Sequence, residues 1–318
     1  MKRFFLLTLA SAALLGASAA PVKTYEVKSP DGRLALVLTA GERLSFTVAR
    51  DGETLVAPSE MALTLSTGEV LGESPRVRSA RRRAVTETID APLYRQSRFD
   101  AAYNELDLRL RGDYGILARA YDDGVCYRFY TERDGELTIV DETAQLNFEG
   151  DPSAYIPYSK TEIPMRTSFE NTYEYAPLSK FRTQTVAFMP VLVDLGERGY
   201  VLYTESDVEA YPGVYLTYDK EAKGFAARFA ECPTETSLTK RFQDVVERSA
   251  DYIARVDGRR SYPWRIVAYA ATATELPVND MVWQTAEASR VADASWVRDG
   301  KIAWDWWNNW GVYGVDFK

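Results

Sequence analysis

The sequence predicts an all-β chain, a large two-sheet antiparallel β-sandwich that leads into the opening of a second domain. Three observations carry this. From Val22 to about Ala271 the apolar residues recur with period two rather than 3.6, the mark of strands with one face in a core and one in water. Asp-Gly pairs begin at Asp31, Asp51, Asp123, Asp134, Asp257 and Asp299, and such pairs tolerate the positive φ that tight hairpins need. Twenty tyrosines in 318 residues add strand propensity.

Residues 1–19 stand apart from the fold. Lys2 and Arg3 precede an apolar run from Phe4 to Leu15, and Ala17-Ser18-Ala19 then matches an A-x-A cleavage site. This is the pattern of a secretory signal peptide cut after Ala19, so the mature chain is expected to be exported to the periplasm or the medium. No other segment approaches the roughly 20 apolar residues of a spanning helix, so no membrane insertion is expected. Residues 20–275 then read as the sandwich. Leu34, Leu36 and Leu38 alternate with Ala35, Val37 and Thr39; Leu44, Phe46 and Val48 do the same, and Leu106, Leu108 and Leu110 alternate with Asp107, Arg109 and Arg111.

The alternation fails after Arg265 to Ala271. Residues 276–300 read as a linker in which Pro277 to Val291 holds a short helix capped by Asn279 or Asp280. Residues 301–318 follow, with Trp304, Trp306 and Trp307 in a strand that is apolar on both faces, as in a parallel sheet or barrel. Such a strand needs neighbours on both sides. The expectation is therefore an amino-terminal part of a longer protein whose second domain begins near Ile302.

Composition narrows the chemistry. With no histidine, Ser-His-Asp triads, Cys-His pairs and His-ligated zinc are excluded within this chain. The formal net charge is -8, and -10 once Lys2 and Arg3 are removed, which disfavours nucleic acid as a partner. Arg76, Arg78 and Arg81 to Arg83 form the one basic cluster and read as a solvated strand face or hairpin tip. Cys126 and Cys232 are the only cysteines. An exported chain can join them, or keep two separate buried thiols in strands, and the sequence leaves both open.

Asp293 to Phe317, read as D-x-S-W-V-x-x-G-K-I-A-W-D-W-W-N-N-W-x-x-x-G-V-D-F, closely resembles the segment that opens the catalytic barrel of glycoside hydrolase family 97, exported α-glucosidases and α-galactosidases of bacteria. Arg119 to Arg128 (RAYDDGVCYR) and Ser168 to Tyr173 (SFENTY) are similar to segments of that family's amino-terminal domain. The resemblance implies a β-supersandwich followed by a (β/α)8 barrel, of which only the first strand, 301–318, would be present. It also implies catalytic carboxylates on later barrel strands, beyond Lys318, and a bound Ca²⁺. One calcium ligand falls at Glu170, with Glu174 as the fallback, since a hard cation prefers carboxylate oxygens.

Asp305, Trp307 and Asn308 are the expected sugar contacts, because residues at the carboxyl end of a barrel strand point toward the active site. Tyr155, Tyr158, Tyr173 and Tyr175 suit either a sugar-stacking platform or ordinary core and cross-strand pairs. Asp122-Asp123-Gly124 lacks the spacing of a calcium loop and reads as a turn. Two functions follow. The first is the amino-terminal portion of a calcium-dependent, exo-acting α-glycosidase with an oligosaccharide substrate and its own barrel as partner, inactive as this chain alone. The second is a non-catalytic, secreted sandwich that binds carbohydrate or protein.

Overall fold

The computed structural model describes residues 22–91, 94–159, 171–238, 244–298 and 300–302. It contains two compact units, one ending at Ala286 and one starting at Glu287. The expected signal peptide and the expected barrel strand beyond Ile302 lie outside the described residues. In the second unit the described residues form neither helix nor strand, and the Asp293 carboxylate accepts the Ser295 N–H at 2.9 Å.

The first unit is antiparallel throughout its described strands, as the alternation predicts. Strands β1 (Lys23–Lys28), β2 (Leu34–Ala40), β3 (Leu44–Arg50) and β4 (Glu53–Leu65) form one meander. After β5 (Val70–Leu71), a second meander runs through β6 (Val77–Asp90), β7 (Arg98–Leu110), β8 (Tyr114–Tyr121) and β9 (Gly124–Ala144). Next come β10 (Leu146–Asn147), β11 (Ser153–Ile156), β12 (Glu174–Pro177), β13 (Val191–Asp194), β14 (Tyr200–Ser206), β15 (Val214–Asp219) and β16 (Gly224–Phe229). A separate hairpin pairs β17 (Pro233–Leu238) with β18 (Asp244–Ser249), and β19 (Ala254–Ser261), β20 (Trp264–Ala270) and helix α1 (Met281–Thr285) complete the unit.

Two sheets result. One runs in the order β6, β7, β8, β9, β20, β14, β13, β11, β12; the other runs β1, β2, β3, β4, β10, β16, β15. Their facing side chains make one core. Leu34, Leu36, Leu38 and Phe46 meet Leu106, Leu108, Ile116, Val125 and Tyr127 there, all buried, with the Phe46 and Tyr127 rings 4.9 Å apart across the layers. Burying apolar surface at about 25 cal/mol per Å² is what holds such layers together.

Strand β9 belongs to both sheets. Its first half lies between β8 and β20, and its second half lies between β19 and β4. Asp134-Gly135 and Asp257-Gly258, expected as hairpin tips, sit instead inside β9 and β19, where the pairing register shifts. Gly135 adopts φ +79°, and a Cβ on Gly258 would lie 2.6 Å from the Arg133 carbonyl oxygen and 2.7 Å from that of Gly135. The glycines therefore form a bulge that bends the strand rather than ending it. Asp51-Gly52, with φ of 50° and 88°, is the hairpin tip that its sequence predicts.

One charged cluster lies inside the sandwich. On β20, Arg265 donates Nε and Nη2 to the two oxygens of Glu142 on β9 at 2.8 and 2.7 Å, and Nη1 to Glu205 on β14 at 2.6 Å. The second Glu205 oxygen accepts the Val214 N–H at 3.0 Å. Burial alone would lower the Arg265 pKa, but the two carboxylates hold it well above the usual value; burial pushes Glu205 upward, partly offset by Arg265.

Strand β20 is buried on both faces. Its outer face, with Trp264, Ile266 and Ala268, joins Tyr103, Tyr121, Cys126 and Met281 in a second, smaller core beneath α1. A Cβ on Gly124 would lie 2.9 Å from both the Ala268 Cα and the Val267 carbonyl oxygen, besides meeting the Met281 side chain, so the close approach of β9 to β20 under α1 favours glycine. Thr285 meets Ser206 through their hydroxyls at 2.7 Å, and Asn279 donates to the Asp123 backbone oxygen at 3.0 Å and to its carboxylate at 3.2 Å. Cys126 is a buried free thiol in β9, and burial raises its pKa to about 12. Cys232 is also free, and lies in the loop before β17 rather than in a strand. The arginines of β6 lie on an exposed edge strand, where Arg78 pairs with Asp113 and Arg83 with Glu105.

Two outcomes follow. Arg265→Met leaves two buried carboxylates without their cation and should cost roughly 3–5 kcal/mol in urea unfolding, with part of the loss recovered in Arg265→Met/Glu142→Leu. Asp123 is pushed up to about 6 from 3.8, chiefly by burial, with Asp280 and Asp122 adding to it. A folded-state pKa above the unfolded value means stability that is full in acid and lost as pH rises through about 6. Asp123→Asn should match the wild type in thermal melts at pH 3.5, below the unfolded value of 3.8, and melt higher at pH 7.5.

Candidate functional site

Glu170, Asp305, Trp307 and Asn308 lie outside the described residues. What the structure shows is the pair of stems on either side of residues 160–170. At the outgoing stem, beyond β11, the Ser159 N–H donates to the Val186 carbonyl at 2.9 Å and Tyr158 is buried. At the returning stem, Asn171 donates Nδ2 to the Tyr158 carbonyl oxygen at 2.9 Å. Tyr158 is the common anchor: its hydroxyl accepts the Arg182 N–H at 3.2 Å, and the Arg182 guanidinium lies 4.8 Å over its ring. Arg182 in turn forms an ion pair with Glu174, the first residue of β12.

Glu174, the fallback calcium ligand, meets the Arg182 guanidinium here in an ion pair between half-exposed side chains. Among the described residues no three acidic or cysteine side chains converge on a metal-sized site. Asp122 and Asp123 belong to the turn before β9, where Asp122 accepts the Asp31 N–H at 2.9 Å and Asp123 serves the segment leading to α1.

The four tyrosines divide. Tyr158 is core, packed on Phe181 with ring centroids 5.0 Å apart. Tyr155 on β11 and Tyr175 on β12 are direct cross-strand neighbours on the outer face, 39% and 54% exposed, with centroids 4.6 Å apart and planes at 43°. The Tyr175 hydroxyl donates to Asp194 at 2.9 Å, which fixes its ring. Tyr173 is 43% exposed and donates its hydroxyl to the Pro190 carbonyl at 3.3 Å.

Farther along the same outer face lies a cluster that strand parity alone did not reveal. Arg119 and Arg128 place their guanidinium carbons 4.7 and 4.4 Å from the Trp264 ring centroid, and Arg119 donates to Glu105 at 2.9 Å. A period-two reading assigns Arg119, Arg128 and Glu105 to solvent, because their neighbours in sequence fill the main core. Their signal was the aromatic residues of matching parity, Tyr103, Tyr121 and Trp264, which give the charged groups something to stack on.

The chain matches known proteins over most of its length. Residues 27–287 fit the family description Glycosyl-hydrolase 97 N-terminal. A retaining alpha-galactosidase of Bacteroides thetaiotaomicron is 37% identical over 303 residues, covering 93% of this chain and 46% of that protein. A probable retaining alpha-galactosidase of Streptomyces bingchenggensis is 29% identical over 286 residues, covering 87% and 39%. The chain thus spans less than half the length of these curated relatives. Among solved structures, a glycoside hydrolase family 97 enzyme from Pseudoalteromonas sp. strain K8, in complex with acarbose, superposes with a TM-score of 0.71 at 16% identity, covering 86% of this chain and 40% of that one. A beta-arabinopyranosidase superposes at 0.63 with 18% identity over 78% of this chain and 40% of its own. The matched span runs from the end of β1 through α1, and the chain belongs to glycoside hydrolase family 97, whose N-terminal domain it carries.

Proposed function

We propose that this chain serves as the N-terminal domain of an exported, exo-acting α-glycosidase, and that the enzyme is a retaining α-galactosidase. The observation that carries the reading is the 37% identity to the Bacteroides enzyme over 93% of the chain. An α-glucosidase is the alternative substrate class within the same reading. Retention requires two carboxyl groups about 5–5.5 Å apart, one to protonate the leaving oxygen and one to attack the sugar. Neither is assigned to residues 27–287, and the domain's part is to shape and hold what surrounds them.

Within the chain, Glu170 is the proposed calcium ligand. Among the described residues no group of three acidic or cysteine side chains gathers to hold a cation, so within this chain the calcium proposal rests on Glu170. A bound divalent cation would supply Lewis-acid character and fixed positive charge to the site. The clasp of Asn171 on Tyr158 and of Arg182 on Glu174 supports this reading, because it fixes the backbone that immediately follows Glu170. Asp305, Trp307 and Asn308 are the proposed sugar contacts: an indole covers the apolar face of a sugar, and polar neighbours bind its hydroxyls.

Two measurements test the reading. The full product of the gene should hydrolyse p-nitrophenyl α-D-galactopyranoside and release the α-anomer first by NMR, with Asp305→Asn at least tenfold slower. Absence of turnover on both α-galactoside and α-glucoside, or first release of the β-anomer, would overturn it. In calorimetric titration of the same protein with Ca²⁺, Glu170→Gln should weaken binding at least tenfold and Glu174→Gln should not. Equal affinity of wild type and Glu170→Gln removes the calcium assignment.

A further inference from the structure

We propose that the paired rings of Tyr155 and Tyr175 form a stacking site for an uncharged oligosaccharide on the outer face of the β11–β12 edge. This rests on membership of a carbohydrate-active family and on the geometry below, and is independent of the galactoside and calcium readings.

The two rings are held, not loose. They face each other in register across β11 and β12, the Asp194 carboxylate fixes the Tyr175 hydroxyl, and the second Asp194 oxygen is itself held by the Gly196 N–H at 2.9 Å. Burying a large aromatic side chain is favourable, yet these rings stand 39% and 54% exposed where their strand neighbours Ala154 and Ile156 are fully buried. Fixed, exposed and tilted rings are suited to a rigid ligand with flat apolar faces and polar edges. A pyranose has that shape, with C–H groups on its faces and hydroxyls around its rim.

Other occupants fit less well. A protein strand adding to β12, which among the described residues pairs with β11 alone, would need a run of backbone donors, but β12 has four residues and ends at Pro177, which has no N–H to give. Acidic Asp194 and Glu174 beside the rings disfavour an anionic ligand, and Arg182 is already committed to Glu174.

The test is affinity electrophoresis of the full product of the gene in gels containing soluble galactomannan or amylopectin. At least one polysaccharide should retard the wild type, Tyr155→Ala/Tyr175→Ala should bind it at least tenfold more weakly, and Tyr155→Phe/Tyr175→Phe should stay within threefold. Should the alanine pair fail to fold by circular dichroism, nitration of the wild type by tetranitromethane decides: the polysaccharide should slow modification of Tyr155 and Tyr175 by mass spectrometry. Lack of retardation in both gels, equal retardation of a folded alanine pair, or unslowed nitration overturns the site. Hydrolysis is not read, so an inactive gene product leaves this result standing.

Discussion

The sandwich is organised around one buried guanidinium. Arg265 sits on the strand that joins the two halves of the longer sheet, and it reaches Glu142 on the strand shared with the other sheet and Glu205 on its own neighbour. Three backbone segments are thereby fixed in mutual position, and a fourth is added because Glu205 also binds the Val214 N–H. Two carboxylates share one cation in a medium that solvates neither. Such a cluster contributes little net stability compared with an apolar replacement of the same volume, but it tolerates only one arrangement of its members. Apolar contacts supply the stability of this fold, while the charged cluster ties β9, β14 and β20 to one another inside it.

The outer face of the longer sheet depends on the register of β20. Strand parity sends Arg265 inward and Trp264 outward, and a slip of one residue would exchange them. With Trp264 outward, Arg119 and Arg128 stack on its ring, Met281 rests on Gly124, and α1 is seated over the second core. The same parity, followed strand by strand through β14, β13 and β11, puts Tyr155 and Tyr175 on that outer face. One choice inside the core thus sets the composition of a surface several strands away.

Much of this was legible in the sequence, and the failures have physical causes. The alternation of Leu34, Leu36 and Leu38, and of Leu106, Leu108 and Leu110, gave antiparallel strands with one buried face, and those residues are in the core. Asp-Gly pairs marked places needing positive φ, but a bulge inside a long strand has the same need as a hairpin tip, so Gly135 and Gly258 were read as turns. The Arg265–Glu142 pairing left no trace in the sequence, because a single charge in a strand carries no sign of its partner far along the chain. Glu170, Asp305, Trp307 and Asn308 came from motif resemblance and not from any period. Exposure of the Tyr155–Tyr175 pair was invisible for another reason: tyrosine is at home on either face of a sheet.

The shared strand β9 has a consequence for how the molecule is made. Neither layer can close before the other, since one extended strand pairs with β20 of the first at its start and with β4 of the second at its end. Assembly must therefore wait for contacts between residues far apart in sequence, which slows it. In return, the layers cannot peel apart one at a time: a tug on either is transmitted along one continuous backbone to its counterpart.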